Sequence, residues 1–222
     1  MSAVAVLENP NVEINSESVV KSQNLFWSPS KVTPQQREIR NGHSGRAIWL
    51  TGLSSAGKST IAAELERRLF KVGRQTYVLD GDNIRHGLGS DLSFSSQHRT
   101  ENIRRVAEVA KLFVDAGFIC ITAFISPFRA DRELARNIFP EGKFVEVYVN
   151  APLSVCEQRD PKGLYAKARN NEIKDFTGIS SPYESPEHPD VEIRTDQHSV
   201  NECVSKIRDL LDLKDWHSEN FR

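Results

Sequence analysis

The sequence carries no surplus of charge: 29 lysines and arginines stand against 30 aspartates and glutamates, a formal net charge of −1. No global positive field therefore exists to hold a nucleic-acid backbone or an anionic membrane, and any anion must be held by a local cluster. Cysteine is scarce. Its three copies, Cys120, Cys156 and Cys203, are far apart and lie in apolar stretches, without the spacing of a zinc site or a redox pair, which points to a reducing compartment. The six histidines show no metal-ligand spacing either. Long apolar runs are missing: Val4-Ala5-Val6-Leu7 has no basic residue before it, and Phe118 to Ile125 is far too short to span a bilayer. Glycine and proline stay below the level of low-complexity chains, and no internal repeat is visible. These absences predict a soluble, cytoplasmic protein with no nucleic-acid and no membrane partner, long enough to bury roughly 70% of the surface its unfolded chain exposes.

What is present is an alternation of short β-rich runs with helical patterns. Residues 1 to about 23 are polar and aperiodic, as a mobile arm would be. Thr33-Pro34-Gln35-Gln36 has the order of a helix start and Gly42 offers its stop, so residues 1–45 read as an N-terminal arm with a short helix and 46–222 as the main domain. Ala47 to Leu50, Thr76 to Leu79, Phe118 to Phe124, Phe144 to Val149 and the weaker Val191 to Ile193 read as five strands. The first, third and fourth are largely apolar without clean alternation, as strands covered on both faces tend to be. Ser59 to Val72, the stretch holding Ile103, Val106, Ala107, Ala110, Phe113 and Val114, and Val200 to Leu213 have helical periodicity. A three-layer α/β fold around a central five-stranded parallel sheet follows, with its ligands at the carboxyl ends of the strands.

The sharpest signal lies between the first strand and the helical segment after it. Gly52-Leu53-Ser54-Ser55-Ala56-Gly57-Lys58-Ser59, followed by Thr60, fits the phosphate-loop pattern G-x-x-x-x-G-K-[ST] in the strand-loop-helix setting its mechanism needs. Its backbone N–H groups would converge on phosphate oxygens, Lys58 would reach the β- and γ-phosphates, and the Ser59 hydroxyl would ligate Mg²⁺. Asp80-Gly81-Asp82-Asn83 ends the second strand, so Asp80 or Asp82 emerges at the same sheet edge, able to take a proton from an attacking hydroxyl or to organise Mg²⁺. Read blandly, the same four residues form a turn. The third strand ends in Ile125-Ser126-Pro127 with no carboxylate, which favours transfer to a bound acceptor over motor-like hydrolysis.

Arg85 and Arg99 fall outside the apolar-periodic part of their segment and suit an anionic acceptor, although single arginines are more often solvated surface groups. Arg159, Lys162, Lys167, Arg169 and Lys174 surround Gly163 and form either a closing lid or a charged surface helix. Phe94 and Phe176 stand beside polar loop sequence and could stack on a purine or anchor their loops. A kinase for another small hydroxyl acceptor and a catalytically silent nucleotide-binding module remain as rival readings.

Several blocks together carry a resemblance. They are the loop from Trp49 to Ser59, Leu79 to Leu88, Arg99 to Arg105, Phe124-Ile125-Ser126-Pro127, Arg159 to Tyr165, and Phe176-Thr177-Gly178-Ile179 with Pro182-Tyr183-Glu184. In these the chain resembles the adenylyl-sulfate kinases, P-loop kinases that transfer the ATP γ-phosphoryl group to the 3′-hydroxyl of adenosine 5′-phosphosulfate. The resemblance implies ATP and adenylyl sulfate as ligands, Mg²⁺, a homodimer, and room for an ATP sulfurylase partner. It implies that Gly52 to Thr60 hold ATP, and that Asp82, Asn83, Arg85, Phe94, Arg99, Asn102, Ile125, Ser126, Lys162, Phe176 and Thr177 contact adenylyl sulfate, with Phe94 and Phe176 around its adenine. Lys58, Asp80 and Ser126 are the implied catalytic residues, Asp80 as base or, with Ser59, as Mg²⁺ organiser. Ser126 matches a serine described in that family as a phosphorylated intermediate, but direct in-line transfer is the simpler chemistry, because a phosphoserine step needs a second acceptor geometry. Three positions depart from the family pattern. His98 stands where Asp is usual, which puts the anchoring of Arg99 in question; Ser28 follows Trp27 where His is usual. Ser55 replaces a common Gly, which requires it to keep an ordinary backbone conformation.

Overall fold

The computed structural model describes residue 26 and residues 28–211. The expected arm over residues 1–23, Trp27, and the last two residues of the helix expected to reach Leu213 lie outside the described residues. Among the described residues, those from Val32 onward form one compact unit, whose elements run α1 (Pro34–Asn41), β1 (Arg46–Thr51), α2 (Lys58–Lys71), β2 (Thr76–Asp80), α3 (Gly81–Arg85), α4 (Ser96–Asp115), β3 (Ile119–Ala123), α5 (Arg129–Asn137), β4 (Phe144–Asn150), α6 (Leu153–Arg159), α7 (Leu164–Arg169), β5 (Val191–Arg194) and α8 (Val200–Leu210).

The five strands make a parallel sheet in the order β2-β3-β1-β4-β5. β1 is central, and its side chains alternate between two cores. Ile48 and Leu50 pack with Ile61, Leu65 and Leu69 of α2 and Val204 and Ile207 of α8, while Ala47 and Trp49 pack with Val106 and Ala110 of α4 and Ala135 of α5. Burial on both faces explains why β1, β3 and β4 read as largely apolar runs without clean alternation. The crossover connections place every strand's carboxyl end at one edge of the sheet, where the chain leaves β1 for the Gly52–Gly57 loop, β2 for Asp80 and β3 for Ile125.

Caps fix the helix starts. At α1, Thr33 and Gln36 form a capping box and Gly42 closes the helix with φ +66°. Asn41 Nδ2 donates to Gly117 O and Lys143 pairs with Glu38 at 2.5 Å, tying α1 to the turns after α4 and before β4. Ser95 caps α4 by accepting from His98 N, so this helix starts seven residues before its apolar stripe, which begins at Ile103. The three cysteines are free and buried, and burial pushes the Cys120 thiol up to about 12. Among the described residues no helix is long and apolar enough to cross a membrane.

Candidate active site

The loop after β1 is built for close approach. A Cβ on Gly52 would meet Val149 O at 2.4 Å, so no larger residue fits there. Ser55 and Gly57 both take left-handed conformations, at φ +59° and +99°. The expectation of an ordinary backbone at Ser55 is thereby corrected: a loop that aims successive N–H groups to one side alternates handedness, and the serine is forced into the left-handed place at a cost of about 1 kcal/mol or more. Neighbouring elements support the loop from behind. Thr195, just past β5, donates from Oγ1 to Ala56 O (2.8 Å) and accepts from Arg159 (3.1 Å), while Tyr165 Oη donates to Ser54 O (3.0 Å).

Lys58 opens α2 with only 8% of its surface exposed, and its Nζ donates to Gly52 O (2.9 Å) and Leu53 O (2.6 Å). Burial pushes its pKa down to about 8, against the opposing pull of Cys156, Asp80 and Asp82. A cation held dry beside a left-handed loop is primed for an anion, because binding one restores the favourable charge partner that burial removed. Next to it, Ser59 Oγ donates to Asp80 Oδ2 at 2.7 Å, and Asp80 Oδ1 accepts from Asp82 N (3.0 Å), capping α3. The structure separates the two candidate carboxylates: Asp80 faces the phosphate loop, whereas Asp82 is ion-paired with Lys162.

A cavity of about 610 Å³ opens over these groups. Ser54, Ser55, Lys58 and Ser59 line one side; Asp80, Asp82, Arg85, Phe94, Arg99 and Asn102 line another; Ile125, Ser126, Lys162, Phe176 and Thr177 complete it. Of the residues the sequence singled out, Gly52, Leu53, Ala56 and Gly57 form the turn beneath this surface, and Thr60 and Asn83 are exposed outside it. Arg85 lies with its guanidinium 4.2 Å from the Phe94 ring centre and donates to Leu92 O and Ser93 O. Arg99 donates to Phe94 O (2.8 Å), Thr177 Oγ1 and Asp175 O, so it links the Phe94 loop to the segment holding Asp175 and Thr177. Burial lowers the pKa of both arginines from the usual guanidinium value, which an anion in the cavity would offset. Phe94 is exposed, while Phe176 is buried edge-on against Tyr165. Asn102 Oδ1 is buried without a hydrogen-bond partner and aims at Gly89, where a Cβ would come within 2.7 Å.

Ser126 is buried, with φ +39°. Its Oγ accepts from Trp49 Nε1 (3.2 Å), and its carbonyl accepts from Arg132 (2.7 Å). Arg132 is the residue that the sequence reading passed over. Buried on α5, it also pairs with Glu146 of β4 (2.8 Å) and donates to Glu184 O (2.7 Å), fastening three segments behind the cavity. Thr195 was missed as well. Neither belongs to a motif, and only the fold brings them to the loops they hold.

For a divalent ion the structure offers the Ser59 hydroxyl beside the Asp80 carboxylate, two hard oxygen donors. Among the described residues no group of three or more His, Cys, Asp or Glu could hold a metal. That donor set fits Mg²⁺, which takes one or two protein oxygens and fills its remaining positions with phosphate and water.

Comparison with known proteins agrees with this geometry. The family model for adenylylsulphate kinase matches residues 44–194. An adenylyl-sulfate kinase of Clostridium kluyveri is 57% identical over 195 residues, 88% of this chain and 98% of that protein. A probable adenylyl-sulfate kinase of Bacillus subtilis is 57% identical over 188 residues, 85% of this chain and 94% of its own length. The Mycobacterium tuberculosis APS kinase solved in complex with AMPPNP and APS superposes with a TM-score of 0.73 at 48% identity, covering 76% of this chain and 98% of that one. With the phosphate loop, the Asp80 edge and the side lined by Arg85 and Arg99 all gathered on one cavity, these matches settle the lineage: the chain belongs to the adenylylsulphate kinase family.

Proposed function

We propose that this chain is an adenylyl-sulfate kinase: it transfers the γ-phosphoryl group of ATP to the 3′-hydroxyl of adenosine 5′-phosphosulfate, giving ADP and 3′-phosphoadenosine 5′-phosphosulfate, the activation step of sulfate assimilation. The observation that carries the reading is the single cavity lined on one side by Ser54, Lys58 and Ser59 and on the other by Arg85, Phe94, Arg99 and Phe176. Two nucleotides bound there meet with the terminal phosphate of one against the ribose of the other. The M. tuberculosis structure with a nucleotide analogue and APS supports the same pairing of ligands.

In this reading the Gly52–Thr60 loop cradles the ATP phosphates, and Lys58 exchanges its carbonyl partners for phosphate oxygens, where its charge follows the transferring group. Mg²⁺, held by Ser59 with Asp80 beside it, supplies charge neutralisation on the phosphates. Asp80 accepts the proton of the 3′-hydroxyl as it attacks. Arg85, Arg99 and Lys162 hold the anionic phosphosulfate with Asp82, Asn83 and Asn102 around the nucleoside; Phe94 and Phe176 sandwich the adenine, and Ile125, Ser126 and Thr177 close the floor. The buried Ser126, its hydroxyl already held by Trp49, supports direct transfer over a phosphoserine intermediate. The protein acts as a cytoplasmic homodimer, with a sulfurylase as the natural supplier of its acceptor.

Coupled ADP release tests this reading. Turnover with ATP and Mg²⁺ should appear only on addition of adenylyl sulfate. Equal turnover with gluconate or shikimate reassigns the acceptor, and tight binding of both nucleotides without transfer makes the protein a silent binding module.

A further inference from the structure

The loop bearing Phe94 is held by three side chains, and one of them is a histidine. Arg85 donates to Leu92 O (3.1 Å) and Ser93 O (3.2 Å), and Arg99 donates to Phe94 O (2.8 Å), so two cations of the acceptor side grip the carbonyls of this loop. Two of its amides donate to side chains: Ser95 N to Ser93 Oγ at 3.4 Å, and Ser93 N to His98 Nδ1 at 2.9 Å; the Ser93 hydroxyl lies 2.8 Å from the same nitrogen. His98 is itself fixed at the third residue of α4, where its own N–H donates to the cap Ser95 Oγ. A backbone N–H can only donate, so Nδ1 must carry a lone pair, and the ring is the neutral tautomer with its proton on Nε2. Protonating Nδ1 turns two donors toward each other. The Ser93 hydroxyl can rotate and accept instead, but the amide cannot, and it is expelled.

The charged groups around this junction are Asp91, held by Arg105 at 2.7 Å, Glu101 one turn along α4, and the guanidinium groups of Arg85 and Arg99. A guanidinium only donates, so neither arginine can replace a lost acceptor for Ser93 N. We propose that His98 is a positioning residue for the acceptor nucleotide: its neutral imidazole fixes the Ser93-Phe94-Ser95 loop, and its protonation loosens the Phe94 wall of the site and weakens acceptor binding on acidification. The inference rests on the reading of this side of the cavity as the adenylyl-sulfate site. It also answers the question raised by a histidine in place of an acid: the imidazole accepts from the loop as a carboxylate would, but only while unprotonated, whereas an aspartate keeps its acceptor down to about pH 4.

Initial rates at saturating ATP from about pH 7.5 to about pH 5.5, the range in which histidines take up protons, test it. In the wild type, KM for adenylyl sulfate should rise about fivefold on acidification, the worth of one hydrogen bond, and more steeply than KM for ATP. His98→Asp should hold KM for adenylyl sulfate level across the range with kcat close to wild type, and His98→Ala should show the raised value throughout. Identical pH profiles for wild type and His98→Asp overturn the inference. Phe94→Ala separates the two levels of the argument. A raised KM for adenylyl sulfate in Phe94→Ala, alongside coincident wild-type and His98→Asp profiles, removes only the histidine's role; an unchanged KM in Phe94→Ala removes the acceptor site from this wall and the inference with it.

Discussion

Replacing Lys58 with Met should make the nucleotide-free protein's stability respond differently to alkali. Lys58 is buried at the phosphate loop, and desolvation brings its pKa to about 8 in place of the usual 10.5. Below pH 8 the ammonium is charged in both folded and unfolded chains, and the folded state bears the full burial cost, about 3 kcal/mol. Between pH 8 and 10.5 the unfolded chain keeps the proton that the folded chain has released, so the wild type gains stability with rising pH, about 1.4 kcal/mol per unit. Met keeps the apolar stem and cannot titrate. The unfolding free energy of the wild type relative to Lys58→Met should therefore move in favour of the wild type by about 2 kcal/mol between pH 7.5 and 9.5. Urea titrations of both proteins at the two pH values, without nucleotide, measure this difference, and titrating groups that do not interact with Lys58 cancel. A difference that stays constant refutes the claim that this lysine is held dry, and with it the argument that phosphate binding there regains charge stabilisation.

Two further substitutions probe the scaffold behind the site. Ser55→Gly relieves the left-handed serine at φ +59° and should raise stability by about 1 kcal/mol, read as a higher urea midpoint at unchanged slope; an unaltered midpoint means that the loop carries no strain there. Arg132→Met removes the nearer of Glu146's two arginine partners, leaving only Arg136 at 3.5 Å, and takes the guanidinium from the carbonyls of Ser126 and Glu184, so it should cost about 2 kcal/mol in thermal or urea unfolding. A loss below 1 kcal/mol shows that the three segments hold together without it.

How much of this was legible beforehand depended on which physical signal each element left in the chain. β1, β3 and β4 could be read because a sheet covered on both faces favours apolar residues on both sides of each strand, and the phosphate loop because its glycines answer a steric need that no other residue meets. α4 was visible only from Ile103 onward, since its first turn is set by the Ser95 cap and not by an apolar stripe. α5 offered no apolar stripe to read: its buried face consists of Asp131, Arg132 and Ala135, and the ion pair with Glu146 stands where apolar contacts usually do. Asp80-Gly81-Asp82-Asn83 reads as a turn, yet Asp80 caps a short helix whose end delivers Arg85 to the cavity. The site's charged and aromatic residues were singled out by residue type and position, the resemblance gave them roles, and the fold shows them on one surface. Their supports, Thr195 and Arg132, act across the tertiary structure and have no local signature. Ser55 was misjudged because handedness is a property of the folded loop, not of the serine.

The central claim is that one cavity brings the ATP γ-phosphorus and the acceptor 3′-hydroxyl together for a single in-line displacement, with Ser126 held aside by Trp49. The stereochemistry at phosphorus tests this most directly, using ATP made chiral at the γ-position with oxygen isotopes and analysing the 3′-phosphate of the product. Inversion is predicted, one displacement from ATP to the 3′-oxygen; net retention would mean two displacements through a phosphorylated enzyme and would contradict the account.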